Sequence, residues 1–238
     1  MKVLITGGQS QIGRAIADHR QTLGDKVILT SSVEKNLKTF GASFEKFQFD
    51  LSNPEASNTA IDQILKVGAI EAVILNAATT SPRLAPLDRI SFGTAKDFLS
   101  ANLCGNIWLL QKLLPEFQRQ KFGRIVFISS LLTEHPLPGY SVYSAAKAGM
   151  ESLLEYVALE YGAFNVTANT IRLGIIQTER NKAFWRRDGI RKQMEKRISL
   201  GRLGQPKDLF KIIDAILEKD SYLQGSSIDI SGGLHTPP

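Results

Sequence analysis

Lys2-Val3-Leu4-Ile5-Thr6-Gly7-Gly8-Gln9-Ser10-Gln11-Ile12-Gly13 is the stretch on which the fold turns. A short apolar run of strand length ends in two glycines, and a helical pattern opens at Ile12. A glycine turn between strand and helix lets backbone amides and the positive helix N-terminus face a pyrophosphate. Glycine serves purely steric ends in the same place, so the rest of the chain has to decide.

Working outward, apolar runs of strand length alternate with helical patterns to the far end of the chain. Strands are expected at about residues 2–6, 26–30, 45–49, 72–76, 124–129, 167–172 and 227–230, and helices at 12–23, 55–66, 95–118, 142–161 and 206–218. Alternation of this kind predicts βαβ units and a sheet buried on both faces. The fold class is therefore α/β: a single Rossmann-type doubly wound domain over residues 1–238, with a seven-stranded, mostly parallel sheet. Its ligand crevice should lie beyond the carboxyl ends of the strands, with the least regular stretch, about 175–200, as a lid over it.

Composition narrows the function classes. Of the 238 residues 43% are hydrophobic and 22% charged, as in soluble globular chains, and no apolar run approaches the ~18 residues of a membrane span. The start runs straight into the glycine turn, without the longer apolar region of a signal peptide, so a cytoplasmic protein without membrane association is expected. Cys104 is the lone cysteine, and His19, His135 and His235 are scattered, so no metal site and no disulfide are expected. The formal charge of +6 is concentrated between Glu179 and Arg197, where eight basic residues face three acids. No nucleic-acid motif accompanies that excess, so nucleic acid is not an expected partner.

Two further segments carry chemistry. In Tyr143-Ser144-Ala145-Ala146-Lys147 the phenol and ammonium stand one helical turn apart on one face, where a fixed positive charge would lower the phenol pKa toward working pH. On an exposed helix the same pair is usually a solvated face. Ser130 ends the fifth strand at the edge where the crevice must lie, although a turn or capping serine would also fit there. Asp50 ends the third strand, placed to accept from an adenine amino group or to cap a turn. At the end of the second strand Thr30-Ser31-Ser32 lacks the acid that pairs with a ribose 2′-hydroxyl. That favours NADP, with Ser31 and Ser32 as hydroxyl donors and Lys35 as counter-charge, and leaves NAD as the second candidate.

Taken together, these segments resemble the short-chain dehydrogenases/reductases, nearest in general likeness to 3-oxoacyl-[acyl-carrier-protein] reductases. Thr6, Gly7, Ile12 and Gly13 match the family's TGxxxGxG fingerprint, while Gln11 stands in place of its middle glycine. Leu75-Asn76-Ala77-Ala78 resembles NNAG, and Arg172-Leu173-Gly174-Ile175-Ile176-Gln177-Thr178 resembles PGxxxT with Leu173 for proline. Gly201 to Pro206 and Gly225 to Gly233 look like the closing segments, so the likeness covers essentially the whole chain. Asn102, Ser130, Tyr143 and Lys147 match the Asn-Ser-Tyr-Lys tetrad.

The resemblance implies a role for each position. Ser130 orients a substrate oxygen, Tyr143 transfers the proton, Lys147 binds the nicotinamide ribose, and Asn102 holds a water that relays protons to Lys147. Gly7, Gln9, Ser10, Gln11, Ile12 and Gly13 would meet the phosphates, and Thr30, Ser31 and Ser32 the 2′ side of the adenosine. Asp50, Leu51, Asn76, Ala77 and Ala78 would hold the adenine half, with Asn76 also bracing neighbouring strands. Gly174, Ile176 and Thr178 would engage the carboxamide, beside Tyr143 and Lys147. Were Gln11 held at positive φ, that conformation would cost roughly 1–3 kcal/mol. The implied function is an NADP(H)-dependent oxidoreductase, a ketoreductase of 3-oxoacyl or related carbonyl substrates, carrier-linked or anionic, working as a homo-oligomer, tetramer or dimer. The alternative class is a catalytically idle NADP(H)-binding sensor, motivated by the departures at Gln11, Leu75, Ala78 and Leu173.

Overall fold

The computed structural model describes residues 1–78 and 85–234. His235 lies outside the described residues. In chain order the elements are β1 (Lys2–Ile5), α1 (Gln11–Thr22), β2 (Lys26–Ser31), α2 (Glu34–Leu37), β3 (Glu45–Gln48), α3 (Pro54–Lys66), β4 (Ala72–Leu75) and α4 (Phe92–Leu99). They continue with α5 (Gly105–Gln120), β5 (Gly123–Ser130), α6 (Ser141–Tyr161), β6 (Val166–Leu173), α7 (Lys182–Trp185), α8 (Asp188–Lys196), α9 (Phe210–Leu217) and β7 (Ser227–Ile230). The seven strands form one sheet in the order β3-β2-β1-β4-β5-β6-β7, and every pairing is parallel.

The order reverses between β1 and β4, which opens a crevice beyond their carboxyl ends. Helices cover both faces, so strand side chains alternate between two cores. Leu4 packs with Ile61, Leu113 and Phe117 on one side, while Val3 and Ile5 pack with Ile16, Ile213 and Ile216 on the other. Each such fully buried aliphatic contributes on the order of 1.5–3 kcal/mol. Local signals set the helix starts. Ser10 caps α1 through Gly13 N, Asn53 caps α3 with Pro54 behind it, and Ser91 caps α4. At the opposite edge the fully buried Arg124 donates to the carbonyls of Asn165, Glu218 and Lys219, pinning the end of α9 to the sheet.

One element departs from expectation. The helix expected over 95–118 is interrupted by a π turn at Ser100–Cys104, which divides α4 from α5. Gly105 then packs against Leu51, whose carbonyl oxygen would stand only 2.2 Å from an added Cβ. The extra residue in that turn rotates Asn102 into the interior, where it is 5% exposed.

Candidate active site

The glycine turn is built around Asn76. Its Nδ2 donates to the carbonyls of Thr6 and Gly7 and to Ser10 Oγ, all within 3.1 Å, and Thr6 Oγ1 accepts from the amides of Asn76 and Ala77. Gly7 sits at φ +67°, and an added Cβ would meet Ala77 Cα at 2.8 Å, so only glycine fits. Asn76 therefore braces the turn from β4 as well as joining neighbouring strands. Ser10 has its hydroxyl turned to the α1 cap and to Asn76. The amides of Gln11 and Ile12 meet no acceptor among the described residues, so the N-terminus of α1 presents two donors to an anion.

Beyond this turn lies a crevice lined by Gly7, Gln9, Ser32, Phe49, Asp50, Leu51, Ala77, Ala78 and Ala101. Seven of these were expected from the sequence. Phe49 and Ala101 were missed, although each adjoins a residue that was singled out. Asp50 Oδ1 caps its own turn by accepting from Ser52 N and Oγ, and the residue also borders the crevice. Ser31 is buried, and its hydroxyl is engaged with Val33 N and O, so Ser32 is the serine that faces the crevice. Thr30 is likewise buried, and its carbonyl accepts from Gly8 N. The cradle, the two orphan amides and the small Ala77 and Ala78 together fit an adenine dinucleotide.

Gln11 does not carry the strain that a glycine position suggests. The described non-glycine residues at positive φ are Lys121 and Asn165, and Gln11 begins α1 in helical geometry. Its Oε1 instead accepts from the amide of Glu179 at 2.8 Å. The segment after β6 is fastened from within. Asn181 Nδ2 donates to the carbonyl of Ile176, Asn181 Oδ1 accepts from Thr178 N and Oγ1, and the Trp185 indole donates to Thr178 O and Asn181 Oδ1. Gly174 passes so close to Ser231 that an added Cβ would meet its Cα at 2.8 Å. Between this segment and α1 lies a second cavity of about 240 Å³ lined by Gln11, Gln177, Thr178, Glu179, Trp185, Gln205 and Pro206.

Tyr143, Lys147 and Ser130 gather at the carboxyl end of β5, with Asn102 buried in the π turn between α4 and α5. Tyr143 packs against Phe98 and Tyr140, and its phenol lies close enough to Ser130 for that hydroxyl to influence its ionisation. Ser130 Oγ also accepts from Leu132 N, at the start of the loop that returns to α6. Lys147 is buried, and its Nζ donates to Ile128 O at 2.8 Å over the Phe127 ring. Asn102 donates from Nδ2 to Phe98 O and accepts at its carbonyl from Asn106 Nδ2, which holds the π turn open.

The electrostatics differ from the simple expectation of a depressed phenol. Burial raises the Tyr143 pKa, with Ser130 and the Arg180 charge pulling the other way and Tyr140 adding to the rise. Burial also lowers the Lys147 ammonium to about 8, with Glu151 opposing and Arg180 reinforcing the fall. The ammonium faces Ile128 O and stands 6.0 Å from the Tyr143 ring centroid, which is why it does little to the phenol here. The phenol keeps its proton at neutral pH, and it would become a stronger acid as positive charge is brought nearer to it.

With the geometry in place, the relatives can be set beside it. Residues 1–189 match the family described as short chain dehydrogenase. The chain belongs to that family. It is 29% identical over 238 residues to the 3-oxoacyl-[acyl-carrier-protein] reductase of Haemophilus influenzae, covering 98% of this chain and 97% of that one. To the corresponding reductase of Mycobacterium bovis it is 30% identical over 237 residues, covering 98% and 92%. A solved structure of 4-hydroxyisoleucine dehydrogenase complexed with NADH superimposes with a TM-score of 0.90 at 25% identity, covering 98% of both chains. This short-chain dehydrogenase is thus an oxidoreductase of CH–OH and C=O groups that uses a nicotinamide dinucleotide. Among the described residues no helix is long and apolar enough to cross a membrane, and no group of three or more His, Cys, Asp and Glu could hold a metal.

Proposed function

We propose that this short-chain dehydrogenase is an NADPH-dependent ketoreductase of 3-oxoacyl or related substrates, with Tyr143 as proton donor, Ser130 orienting the substrate oxygen and Lys147 and Asn102 supporting the phenol. The observation that carries the reading is the placing of the Tyr143 phenol, beside Ser130 at the end of β5 and one helical turn from the buried Lys147 ammonium. Gly7, Gln9, the amides of Gln11 and Ile12, Ser32, Asp50, Leu51, Ala77 and Ala78 would hold the adenosine and phosphates. Lys147, Gly174, Ile176 and Thr178 would hold the nicotinamide half. Bound between these residues, NADPH would supply the hydride for the carbonyl carbon, and with one proton from the protein C=O would become CH–OH, leaving NADP⁺. Ser130 fixes the oxygen, Tyr143 gives it that proton, and the Lys147 and Asn102 end of the site returns a proton to the phenol.

The stretch 175–200 acts as a lid in this reading, and its basic surface favours anionic or carrier-linked substrates. Exposed Tyr156 and Leu159 on α6 suit a homo-oligomer, dimer or tetramer. The test is oxidation of NADPH, with NADH in parallel, against free, coenzyme A-linked and carrier-linked 3-oxoacyl compounds together with neutral ketones. Turnover preferring NADPH and a 3-oxoacyl thioester is expected. Tight NADPH binding without turnover on any substrate would replace the enzyme with a cofactor-binding regulator.

A further inference from the structure

Tyr143 and Lys147 are two steps of a three-step ladder on α6. Glu151 follows Lys147 by four residues, as Lys147 follows Tyr143, so the three side chains share one helix face. Glu151 is 5% exposed, and a carboxylate this deeply buried needs several partners. It has them from three directions. Oε2 accepts from Arg172 Nε at 2.9 Å and from the guanidinium NH2 at 2.7 Å. Oε1 accepts from Ser129 Oγ and from Thr133 Oγ1, the latter at 3.1 Å.

Those partners are not scattered. Ser129 and Arg172 are register neighbours across β5 and β6, Ser129 immediately precedes Ser130, and Thr133 Oγ1 also lies 3.0 Å from Ser130 O. One carboxylate thus ties both flanks of Ser130 to the helix that carries Tyr143 and Lys147. Arg172 is in turn paired with Glu134 at 2.8 Å and lies near Asp229 of β7. The charged and titratable groups facing Lys147 are Glu151 and Tyr143 on its own helix and Arg180 from the turn after β6, so Glu151 supplies the balancing negative charge.

We propose that Glu151 is a positioning residue for proton transfer: held by Arg172, it sets Ser130 against Tyr143 and keeps Lys147 charged from one helical turn below. The proposal rests on the assignment of Tyr143, Ser130 and Lys147 made above. A tie of this kind fixes the reacting groups more closely than packing alone, because a carboxylate held by two Arg172 donors and Ser129 Oγ, with Thr133 Oγ1 sharing its single proton between it and Ser130 O, has little freedom.

The test is the pH profile of kcat/KM for NADPH-dependent reduction of acetoacetyl-coenzyme A, with NADPH dissociation constants from fluorescence titration. Glu151→Gln should lower kcat about tenfold or more and move the falling alkaline limb about one unit toward acid, because Lys147 loses its counter-charge. NADPH affinity should stay within about threefold. Ser129→Ala with Thr133→Val removes the tie to Ser130 but keeps the charge, so it should lower kcat and leave the limb in place. If Glu151→Gln fails to fold, Glu151→Gln with Arg172→Met removes both buried charges, and the acid shift is expected there too. A limb unmoved in every folded variant that lacks the carboxylate would reduce Glu151 to a structural tie and overturn the proposal. Tyr143→Phe is the control. Turnover that survives it, or no turnover of acetoacetyl-coenzyme A by the unmodified protein, overturns the parent assignment and this one with it.

Discussion

Gln11 Oε1 accepts a hydrogen bond from the backbone amide of Glu179 at 2.8 Å, joining the first turn of α1 to the segment that follows β6. The family's middle glycine is thereby replaced by a tether between the glycine turn and the segment after β6. Gln11→Ala should loosen that tether by about 1 kcal/mol, the net worth of one neutral hydrogen bond. Amide exchange over residues 178–182 should quicken several-fold while exchange in β5 and β6 stays unchanged. Gln11→Gly should lower the melting temperature further, since Gln11 is helical and glycine disfavours a helix by about 1 kcal/mol. A glycine variant more stable than the parent would restore the idea of strain at this position.

Tyr143→Phe should abolish reduction by removing the proton donor and leave NADPH affinity within a few-fold, because the Lys147 bond to Ile128 O does not pass through the phenol. Lys147→Ala should damage both if, as proposed, the same ammonium serves the ribose and the phenol. Stopped-flow turnover beside fluorescence titration separates the two. Unchanged NADPH binding in Lys147→Ala would remove the ribose from its duties.

The burial of Lys147 has a consequence for stability. Its folded pKa of about 8 lies below the ordinary 10.5, so the unfolded chain binds the proton more tightly throughout that interval. The contribution of Lys147 to stability is therefore complete above about pH 10.5 and is lost as pH falls through about 8. Lys147→Met should raise unfolding free energy by roughly 1–3 kcal/mol at pH 7, with the gain fading toward pH 10.5. Urea titrations at both pH values check the sign. An equal gain at the two would mean that the ammonium is not strained by burial.

How legible the site was in the sequence depends on what each residue answers to. The seven strands followed from apolar runs bounded by turns, and Ser130, Tyr143 and Lys147 are brought near one another because β5 ends in the first and α6 carries the other two. The π turn at Ser100–Cys104 leaves no trace in composition, since one added residue in a helical turn changes no side-chain type. Ser31 and Ser32 are chemically alike, and only the backbone path after β2 decides that the first satisfies Val33 and the second borders the crevice. Glu151 could have been found from its spacing of four from Lys147. Its importance comes from Arg172, which is brought to it only by the pairing of β5 and β6.

Ser32 is accordingly the position at which to set cofactor choice. NADPH should bind at least about tenfold tighter than NADH, a gap of roughly 1.4 kcal/mol that one phosphate contact can supply. Ser32→Asp should narrow or reverse the gap by repelling a 2′-phosphate, whereas Ser31→Asp should mainly destabilise the protein by burying a charge at a 1% exposed site. Equal affinities in the unmodified protein would reject the NADP preference. An unchanged ratio in Ser32→Asp would place the 2′ group elsewhere.

The basic segment around α8 offers the last test. Its backbone forms a short amphipathic helix with no buried residue, and Arg186, Arg187, Arg191, Lys192, Lys196 and Arg197 are all exposed. Trp185 holds the inner side through its indole bonds to Thr178 and Asn181, so the positive charges face outward from a fastened base. Arg191 is unsuitable for charge reversal because it is paired with Glu195 at 2.8 Å, and a new acid there would repel Glu195 one turn away and unwind α8. Arg187 and Lys192 have no such partner among the described residues. If the surface steers an anionic or carrier-linked substrate, Arg187→Gln with Lys192→Gln, which adds no acid beside Asp188 or Glu195, should lower kcat/KM for that substrate several-fold at low salt and spare a small neutral ketone. The loss should shrink as ionic strength rises, since screening removes long-range attraction but not a damaged fold. Equal losses for neutral and anionic substrates would place the fault in the fold of this segment, and no loss for either would leave these charges as a solvated face.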